Sequence, residues 1–270
     1  MASRVLKKRY ALKITGYYSW EQAMNRGLTS LLIDEFQSEK RLLWPISKIR
    51  ETQIRVVKGA KRVIVPSQYL KTMVEGWGAD PKKIEVIYNA VLPLNALDRP
   101  VERAKLGLKN EDFLILSVGR PVKWKGFDLL RETVMHMQES NPNFRLIILH
   151  DVKKEILHRH YASSDLFVLN TGYEGFSHTI LEAMAVGLPI ITTRVGGNLE
   201  LVNDRVNGIL VDYNDKTQLN RAIQEVYDDA ELRQRLKTGA RATFENFELR
   251  NASDGAMVEK TLEILQKCVS

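Results

Sequence analysis

The sequence contains a single cysteine and no long hydrophobic run. Cys268, close to the C terminus, has no partner for an internal disulfide and cannot contribute to a cysteine-based metal site. Nowhere do about 18 consecutive apolar residues occur, the number that a membrane-spanning helix requires. The basic start, "MASRVLKKRYALKITG", lacks the apolar segment of a secretion signal. We therefore expect a cytoplasmic protein without a disulfide or a membrane-spanning segment.

The composition is that of an ordinary folded protein, but the charge is unevenly distributed. Of the 270 residues, 44% are hydrophobic and 27% are charged, and the length suits two modest domains. The net charge of +7 arises in the first third, because residues 1–92 hold 17 basic and 8 acidic residues while the remainder holds 23 and 25. Such a region could attract nucleic-acid phosphates, an anionic membrane or an acidic substrate, or it could be a solvated helix face.

Short apolar strands alternate with helical patterns along the whole chain. In the first part, "YALKITG", "RVIVPS" and "KIEVIYNAV" are typical of strands, and "ISKIRETQIRVVKGA" and "QYLKTMVEGW" of helices, with Ser67 as the N-cap of the second. The segment "LPLNALDRP", residues 92–100, breaks the pattern and is predicted to be a linker. We predict domains at 1–92 and 93–250, followed by a C-terminal helix, 251–270, that packs back on the first domain.

The second part predicts a doubly wound parallel sheet more clearly. The segments "FLILSVG", "FRLIIL", "LFVLN", "PIITTRV" and "NGILVDY" contain continuous rather than alternating apolar residues, which indicates strands covered by helices on both faces. In such α/β sheets, ligands bind at the carboxyl ends of the strands, beside helix N termini. The loops that follow "SVG", "VLN" and "TRV" are therefore the candidate functional loops.

The loop after "LFVLN" leads into a helix whose start is a candidate anion site. The first backbone N–H groups of this helix, on Ser177, His178 and Thr179, lack intrahelical acceptors and could bind a phosphate. Glu174 before the helix and Glu182 within it could each accept hydrogen bonds from vicinal hydroxyls of a sugar. The alternative is that Ser177 is an ordinary N-cap and Glu182 a solvated helix residue.

Two further loops carry residues suited to phosphates. "SVGRPVKWKG" places Arg120 and Lys125 after a strand that ends at Gly119, and two cations there suit a diphosphate. In "TRVGGN", Gly196 and Gly197 would let the backbone approach a ligand closely. Taken alone, the first loop could instead be an ordinary basic surface loop, and the second an ordinary glycine turn.

Together these motifs resemble the retaining glycosyltransferases of family four. The segment "EGFSHTILEAMAVGLPIITTRVGGNLELV" is similar to the family's E-x7-E motif with its glycine pair, and "VGRPVKWKG" to its diphosphate loop. The resemblance implies a GT-B fold of two Rossmann-like domains, with doubly wound parallel sheets and a truncated N-terminal domain. It implies that Arg120 and Lys125 hold the donor diphosphate, Glu174 contacts the donor sugar, and Glu182 binds the ribose. Backbone N–H groups around Phe176 to Thr179 would hold the phosphates.

The resemblance also implies the reaction and its partners. Such enzymes transfer a sugar, typically a hexose, from a nucleoside-diphosphate sugar to an acceptor hydroxyl with retention, and they need no metal or cofactor. The acceptor could be a sugar, a lipid or a protein glycan. The basic first third and the aromatic residues Tyr17, Tyr18 and Trp20 predict peripheral contact with an anionic membrane or a phosphorylated acceptor. No nucleic-acid partner is expected, because no recognised nucleic-acid motif is present.

Two departures from the family pattern predict slow transfer or none. Much of the family's N-terminal domain is not matched, and Thr15 and Gly16 stand where many members carry a histidine. After "FRLIIL", where the family has an additional helix and strand, the chain leads directly into "VKKEILHRHYASS". His150, His158 and His160 in this region are expected to be solvated. The alternatives are therefore a module that binds a nucleotide sugar without turnover and a nucleotide-sugar epimerase of similar fold.

Overall fold

The structure, a computed structural model, describes residues 9–91, 97–251 and 256–269. It divides into two compact units. The three-stranded unit contains the described residues up to Ala90, the segment Tyr173–Phe176 and the described residues from Leu249 onward. The five-stranded unit contains Val91–Gly172 and Ser177–Glu248, apart from the undescribed residues 92–96. Both sheets are parallel, which confirms the predicted α/β fold class.

The three-stranded unit has the strand order β1-β2-β3. Ser67 accepts a hydrogen bond from the Leu70 amide at 3.1 Å, so the predicted N-cap of the helix after β2 is confirmed. The C-terminal helix α11 belongs to this unit, where Ile264 packs against Ile64 and Ile87. The elements are β1 (Ala11–Lys13), α1 (Tyr18–Asn25), α2 (Ile33–Ser38), α3 (Ile46–Gly59), β2 (Arg62–Val65), α4 (Gln68–Gly76), β3 (Ile84–Val86) and α11 (Ala256–Val269).

The five-stranded unit has the strand order β5-β4-β6-β7-β8. All six residues of β4 and all four of β6 are buried, as their unbroken apolar sequences predicted. The elements are α5 (Arg99–Lys105), β4 (Phe113–Val118), α6 (Phe127–Ser140), β5 (Phe144–Leu149), α7 (Lys154–Ser163), β6 (Leu166–Leu169), α8 (His178–Ala185), β7 (Ile190–Thr193), β8 (Ile209–Val211), α9 (Lys216–Asp228) and α10 (Ala230–Asn251), whose last three residues belong to the other unit.

Strand β5 lies at the edge of the larger sheet, and the chain passes directly from it into α7. Five of its six residues are only half-buried, whereas the neighbouring β4 is buried throughout. The direct connection agrees with the sequence, in which a single helical segment, "VKKEILHRHYASS", lies between "FRLIIL" and the next apolar strand, "LFVLN".

The predicted linker, 92–100, is helical at its end. Asp98 caps α5 by accepting a hydrogen bond from the Val101 amide at 3.2 Å, and Pro100 lies in the first turn, where no amide donor is needed. Residues 92–96 of the predicted linker lie outside the described residues, and its last two residues, Arg99 and Pro100, are the first two of α5.

Two of the three aromatic residues that suggested a surface contact are core residues. Tyr17 and Trp20 are fully buried, and the Tyr17 ring packs against Phe36 and Trp77 at centroid distances of 5.5 and 4.8 Å. Only Tyr18 is exposed. The sequence prediction of an exposed aromatic cluster is therefore wrong, because tertiary packing buries the side chains of Tyr17 and Trp20.

Candidate functional site

The loop after β4 is held in place by two glycines. Gly126 has φ 55°, and a Cβ atom there would lie 2.3 Å from the carbonyl oxygen of Asn170, so only glycine fits. The Asn170 amide group donates to the Gly126 carbonyl at 3.1 Å. A Cβ at Gly119 would lie 3.5 Å from Cε of Lys125, which places the Lys125 stem beside the end of β4. Arg120, next to Gly119, is exposed, and Lys125 is half-buried.

Hydrogen bonds join the loops that follow three adjacent strands. The Gly172 amide, after β6, donates to the Trp124 carbonyl of the β4 loop at 2.7 Å. The Thr193 hydroxyl, at the end of β7, donates to the Thr171 carbonyl at 2.6 Å. Trp124 is almost fully buried and anchors its loop. The predicted loops therefore form one connected layer at the carboxyl edge of the five-stranded sheet.

Helix α8 begins in this layer. The Ser177 hydroxyl accepts a hydrogen bond from the Ile180 amide at 3.2 Å, and the first backbone bond of the helix runs from Leu181 to the Ser177 carbonyl. Ser177 is thus an N-cap, which is the alternative that the sequence left open for this residue. His178 and Thr179 occupy the first turn, where the helix dipole is positive. Capping by Ser177 and anion binding by the first turn are compatible, because the cap uses the Ile180 amide.

Glu182 is half-buried and has a defined partner. The Tyr161 hydroxyl on α7 lies 2.9 Å from Glu182 Oε2 and 3.2 Å from the Thr179 carbonyl. Burial raises the pKa of Glu182, while the Tyr161 hydrogen bond and the charges of His158 and Lys154 act in the opposite direction. The reading of Glu182 as a fully solvated helix residue is therefore wrong.

The loop after β7 contains the predicted glycine pair. Gly196 has φ 50°, and Gly197 is buried within a short 3-10 turn that covers residues 196–200. The Asn198 side chain, fully buried, donates to the Thr192 hydroxyl at 3.0 Å and fixes this turn to β7. The structure thus puts Gly196 and Gly197 at the same sheet edge as Arg120 and Lys125.

Glu174 and Phe176 belong to the other unit. The segment Tyr173–Phe176 packs within the three-stranded unit, where the Asn89 side chain donates to the Phe176 carbonyl at 3.4 Å and the Phe176 ring lies 5.2 Å from that of Tyr88. Glu174 is half-buried there. These two predicted site residues thus belong to a different unit from the other nine, and the roles of all eleven remain predictions.

The histidines of α7 differ in their surroundings. His160 is buried and its Nδ1 atom lies 2.7 Å from the Ile156 carbonyl, so the prediction that it is solvated is wrong. Among the described residues, no group of three or more His, Cys, Asp or Glu side chains is arranged to hold a metal ion.

An apolar groove and three exposed apolar side chains mark the surface of the three-stranded unit. The groove, about 810 Å³ in volume, runs between β1 and α3 and is lined by Leu12, Ile14 and Trp44, among others. Trp44 is 78% exposed, and Leu43 and Tyr18 are 65% and 58% exposed. No helix in the described ranges is both long and apolar enough to cross a membrane.

Two family models match the chain. Residues 24–92 match the model described as Glycosyltransferase Family 4, and residues 149–243 match that described as Glycosyl transferases group 1. The structure superposes on Anabaena HepE, solved with UDP and glucose, with a TM-score of 0.74 at 18% identity, over 98% of this chain and 73% of that chain. It superposes on sucrose-phosphate synthase of Thermosynechococcus elongatus with a TM-score of 0.75 at 17% identity, over 98% and 70%. These likenesses define the class of fold, which is GT-B.

Curated relatives agree with the family models. D-inositol 3-phosphate glycosyltransferase of Geodermatophilus obscurus is 29% identical over 225 residues, which cover 69% of this chain and 49% of the relative. The lipopolysaccharide core glycosyltransferase LpsE of Rhizobium meliloti is 31% identical over 159 residues, covering 50% and 46%. The chain thus spans about half the length of these relatives. Its segments 24–92 and 149–243 are thus similar to the family 4 and the group 1 glycosyltransferases, respectively.

Several residues of this edge were not found from the sequence. Tyr161 is 21 residues from Glu182, and Asn170 is 44 residues from both Gly126 and Asn214, to which its side chain is hydrogen-bonded. No periodic pattern links positions so far apart, and Tyr161 lies in a helix whose sequence looks like an ordinary covering helix. The position of Asn170 at the end of an apolar strand was the one available signal.

Proposed function

We propose that the protein is a metal-independent, retaining glycosyltransferase that takes its sugar from a nucleoside-diphosphate sugar bound at the carboxyl edge of the five-stranded sheet. One observation carries the proposal. The loops after β4, β6 and β7 are hydrogen-bonded into a single layer, and this layer holds two cations, a helix N terminus and a half-buried carboxylate. These are the groups that bind the diphosphate and the ribose of such a donor.

Each group has a separate task in the proposed complex. Arg120 binds phosphate oxygens through two parallel N–H donors, and Lys125 adds a positive charge that its packing against Gly119 keeps beside the strand end. The first turn of α8, including His178 and Thr179, directs its dipole at the same phosphates. Gly196 and Gly197 admit the ligand close to the backbone of the third loop, and Glu182 accepts hydrogen bonds from the ribose hydroxyls.

The cations and the helix dipole also supply the proposed catalysis. Negative charge develops on the diphosphate as its bond to the sugar breaks, and preorganised positive groups lower the energy of that transition state. Two cations and a helix N terminus can do this without a metal ion. Glu174 and the backbone near Phe176 would contact the donor sugar and its phosphate, as the resemblance implies. The acceptor is a hydroxyl of a sugar, a lipid or a protein glycan.

Binding of the donor without turnover is the second candidate. It is favoured by Thr15 and Gly16, which follow β1 and offer no titratable side chain there. Positioning of the acceptor contributes ~7–11 kcal/mol to lowering such a barrier, so an incomplete acceptor site leaves binding intact while it abolishes transfer. Donor consumption measured with and without candidate acceptors separates the two.

Contact with an anionic membrane is the proposed setting. Exposed Trp44, Leu43 and Tyr18 can enter the interface of a bilayer, and Lys13 and Lys48 line the adjoining groove. Residues 1–92 carry a balance of +9, which attracts anionic lipid. This set of residues replaces the buried Tyr17 and Trp20 as the basis of the proposal.

Calorimetric titration of UDP, GDP and ADP tests the nucleotide site. Replacing Arg120 or Lys125 by alanine should weaken binding by about 1.5–3 kcal/mol, the range for hydrogen bonds to charged groups. The matched control is Lys123→Ala, since Lys123 is an exposed cation in the same loop. Its backbone carbonyl accepts a hydrogen bond from the Tyr213 hydroxyl, and the substitution retains that carbonyl. A double alanine variant of Arg120 and Lys125 that binds every nucleotide as the wild type does would place the site elsewhere.

A further inference from the structure

Tyr161 is a buried tyrosine whose hydroxyl group meets the candidate ribose-binding carboxylate. Its side chain is 1% exposed, and the ring lies 5.9 Å from that of Phe167 on β6. The hydroxyl lies 2.9 Å from Glu182 Oε2 and 3.2 Å from the Thr179 carbonyl. A rigid, buried ring thus presents one donor to the half-buried Glu182.

The hydroxyl has one hydrogen and two neighbouring acceptors. The carboxylate is the closer acceptor and the charged one, so it takes the stronger hydrogen bond. With Oε2 held by Tyr161, rotation of the carboxyl group is restricted, and Oε1 is left in a fixed direction. Loss of the hydroxyl would leave Glu182 free to rotate and would remove a donor that favours its charged form.

We propose that Tyr161 is a positioning residue for nucleotide binding, which orients Glu182 so that its carboxylate accepts the ribose hydroxyls. This inference rests on the proposed function, because it assigns the ribose to Glu182. Tyr161 does not touch the nucleotide and acts only through Glu182. If Tyr161 merely fills the core, Tyr161→Phe would lower the stability of the protein and would affect the binding of ribonucleotides and of nucleotides without ribose hydroxyls equally.

Calorimetric titration with two forms of each nucleotide tests the proposal. UDP, GDP and ADP are compared with their 2′,3′-dideoxy forms, which lack both hydroxyl groups. Tyr161→Phe should lower the affinity for the ribonucleotide about tenfold, close to the lower end of the range for a hydrogen bond to a charged group. It should leave the affinity for the dideoxy form unchanged. Tyr227→Phe, at a half-buried tyrosine beside Phe113 in the same unit, is the matched control and should affect neither form.

A double-mutant cycle with Glu182→Gln separates positioning from general damage. Each single substitution should weaken ribonucleotide binding, and the double variant should be no weaker than Glu182→Gln alone, because Tyr161 acts through Glu182. Equal loss for both forms of the nucleotide, additive losses in the cycle, or no loss in Tyr161→Phe would each overturn the inference. Wild-type protein that binds none of the three nucleotides would refute the proposed function itself, and the inference with it. If Tyr161→Phe does not fold, equal affinity of Glu182→Gln and the wild type for the ribonucleotide overturns it.

Discussion

Replacement of Gly126 by alanine should disrupt the connected loops more than any backbone preference alone can explain. Gly126 has φ 55°, and the added Cβ would lie 2.3 Å from the Asn170 carbonyl oxygen and 2.5 Å from Nδ2 of the same residue. Both atoms would have to move. Because the Asn170 side chain also donates to the Gly126 carbonyl, the substitution would disrupt a hydrogen bond that joins the loops after β4 and β6.

The loss of stability in Gly126→Ala has two contributions, one from the backbone conformation and one from the close contact. A substitution at a second glycine, Gly107, measures the first contribution alone. A left-handed backbone conformation costs a residue with a side chain about 1–2 kcal/mol, and the displacement of packed atoms adds about 1–3 kcal/mol. Gly107 has φ 67° but no atom within 4 Å of its would-be Cβ. Gly107→Ala should therefore lose only the first part, ~1–2 kcal/mol, and Gly126→Ala about 2–5 kcal/mol.

Pulse hydrogen–deuterium exchange across a urea titration measures both variants in the same unit. Peptides from β4 and β6 report the unfolding midpoint of the five-stranded unit, and calorimetry reports nucleotide affinity. Gly126→Ala should unfold at lower urea than Gly107→Ala and should also bind nucleotide more weakly, whereas Gly107→Ala should bind as the wild type does. Equal midpoints for the two variants would refute the reasoning, since they would show that the close contact with Asn170 costs nothing.

Three further changes have defined outcomes. Arg103→Met should destabilise the five-stranded unit by about 1–3 kcal/mol in urea unfolding, because the buried carbonyls of Ser163 and Asp112 lose their guanidinium donor, while Arg99 still pairs with Asp165; a loss below 1 kcal/mol would contradict this. Burial raises the pKa of Glu182, so nucleotide affinity should fall as pH falls through that raised pKa, and the fall should be absent from Glu182→Gln; identical profiles would argue against its role. Trp44→Ser should weaken sedimentation with anionic vesicles, which added salt also weakens, while the exposed control Val206→Ser should not; equal binding to neutral and anionic vesicles would remove the membrane proposal.

The strands of the fold could be predicted because their local signal agrees with their final environment. The sequence "FLILSV" is apolar at nearly every position, and β4 is buried at every position between two neighbours. Short helices were harder, since α1 and α2 have 8 and 6 residues and mix polar with aromatic side chains. The aromatic residues Tyr17 and Trp20 illustrate the limit. Tyr17 packs against Phe36 and Trp77, and Trp20 against Tyr173, and no local pattern associates these residues with them.

The candidate site divides in the same way. Arg120, Lys125 and the start of α8 could be found because a parallel sheet brings the carboxyl ends of its strands to one edge. The contact of Tyr161 with Glu182 could not, because it depends on how α7 and α8 pack. The position of Glu174 was also beyond the sequence, since four residues of the loop, Tyr173–Phe176, belong to a different unit from the residues on either side.

Hydrogen–deuterium exchange with a bound nucleotide tests the central claim most directly. The protein is incubated with whichever of UDP, GDP and ADP binds most tightly, and the protection of each peptide is compared with that of the protein alone. Binding at the carboxyl edge of the five-stranded sheet predicts new protection at 119–126 and 177–182, around Arg120, Lys125 and the first turns of α8, with β1 and β2 unchanged. Protection confined to the groove between β1 and α3, with 119–126 and 177–182 unchanged at saturating nucleotide, would contradict the account.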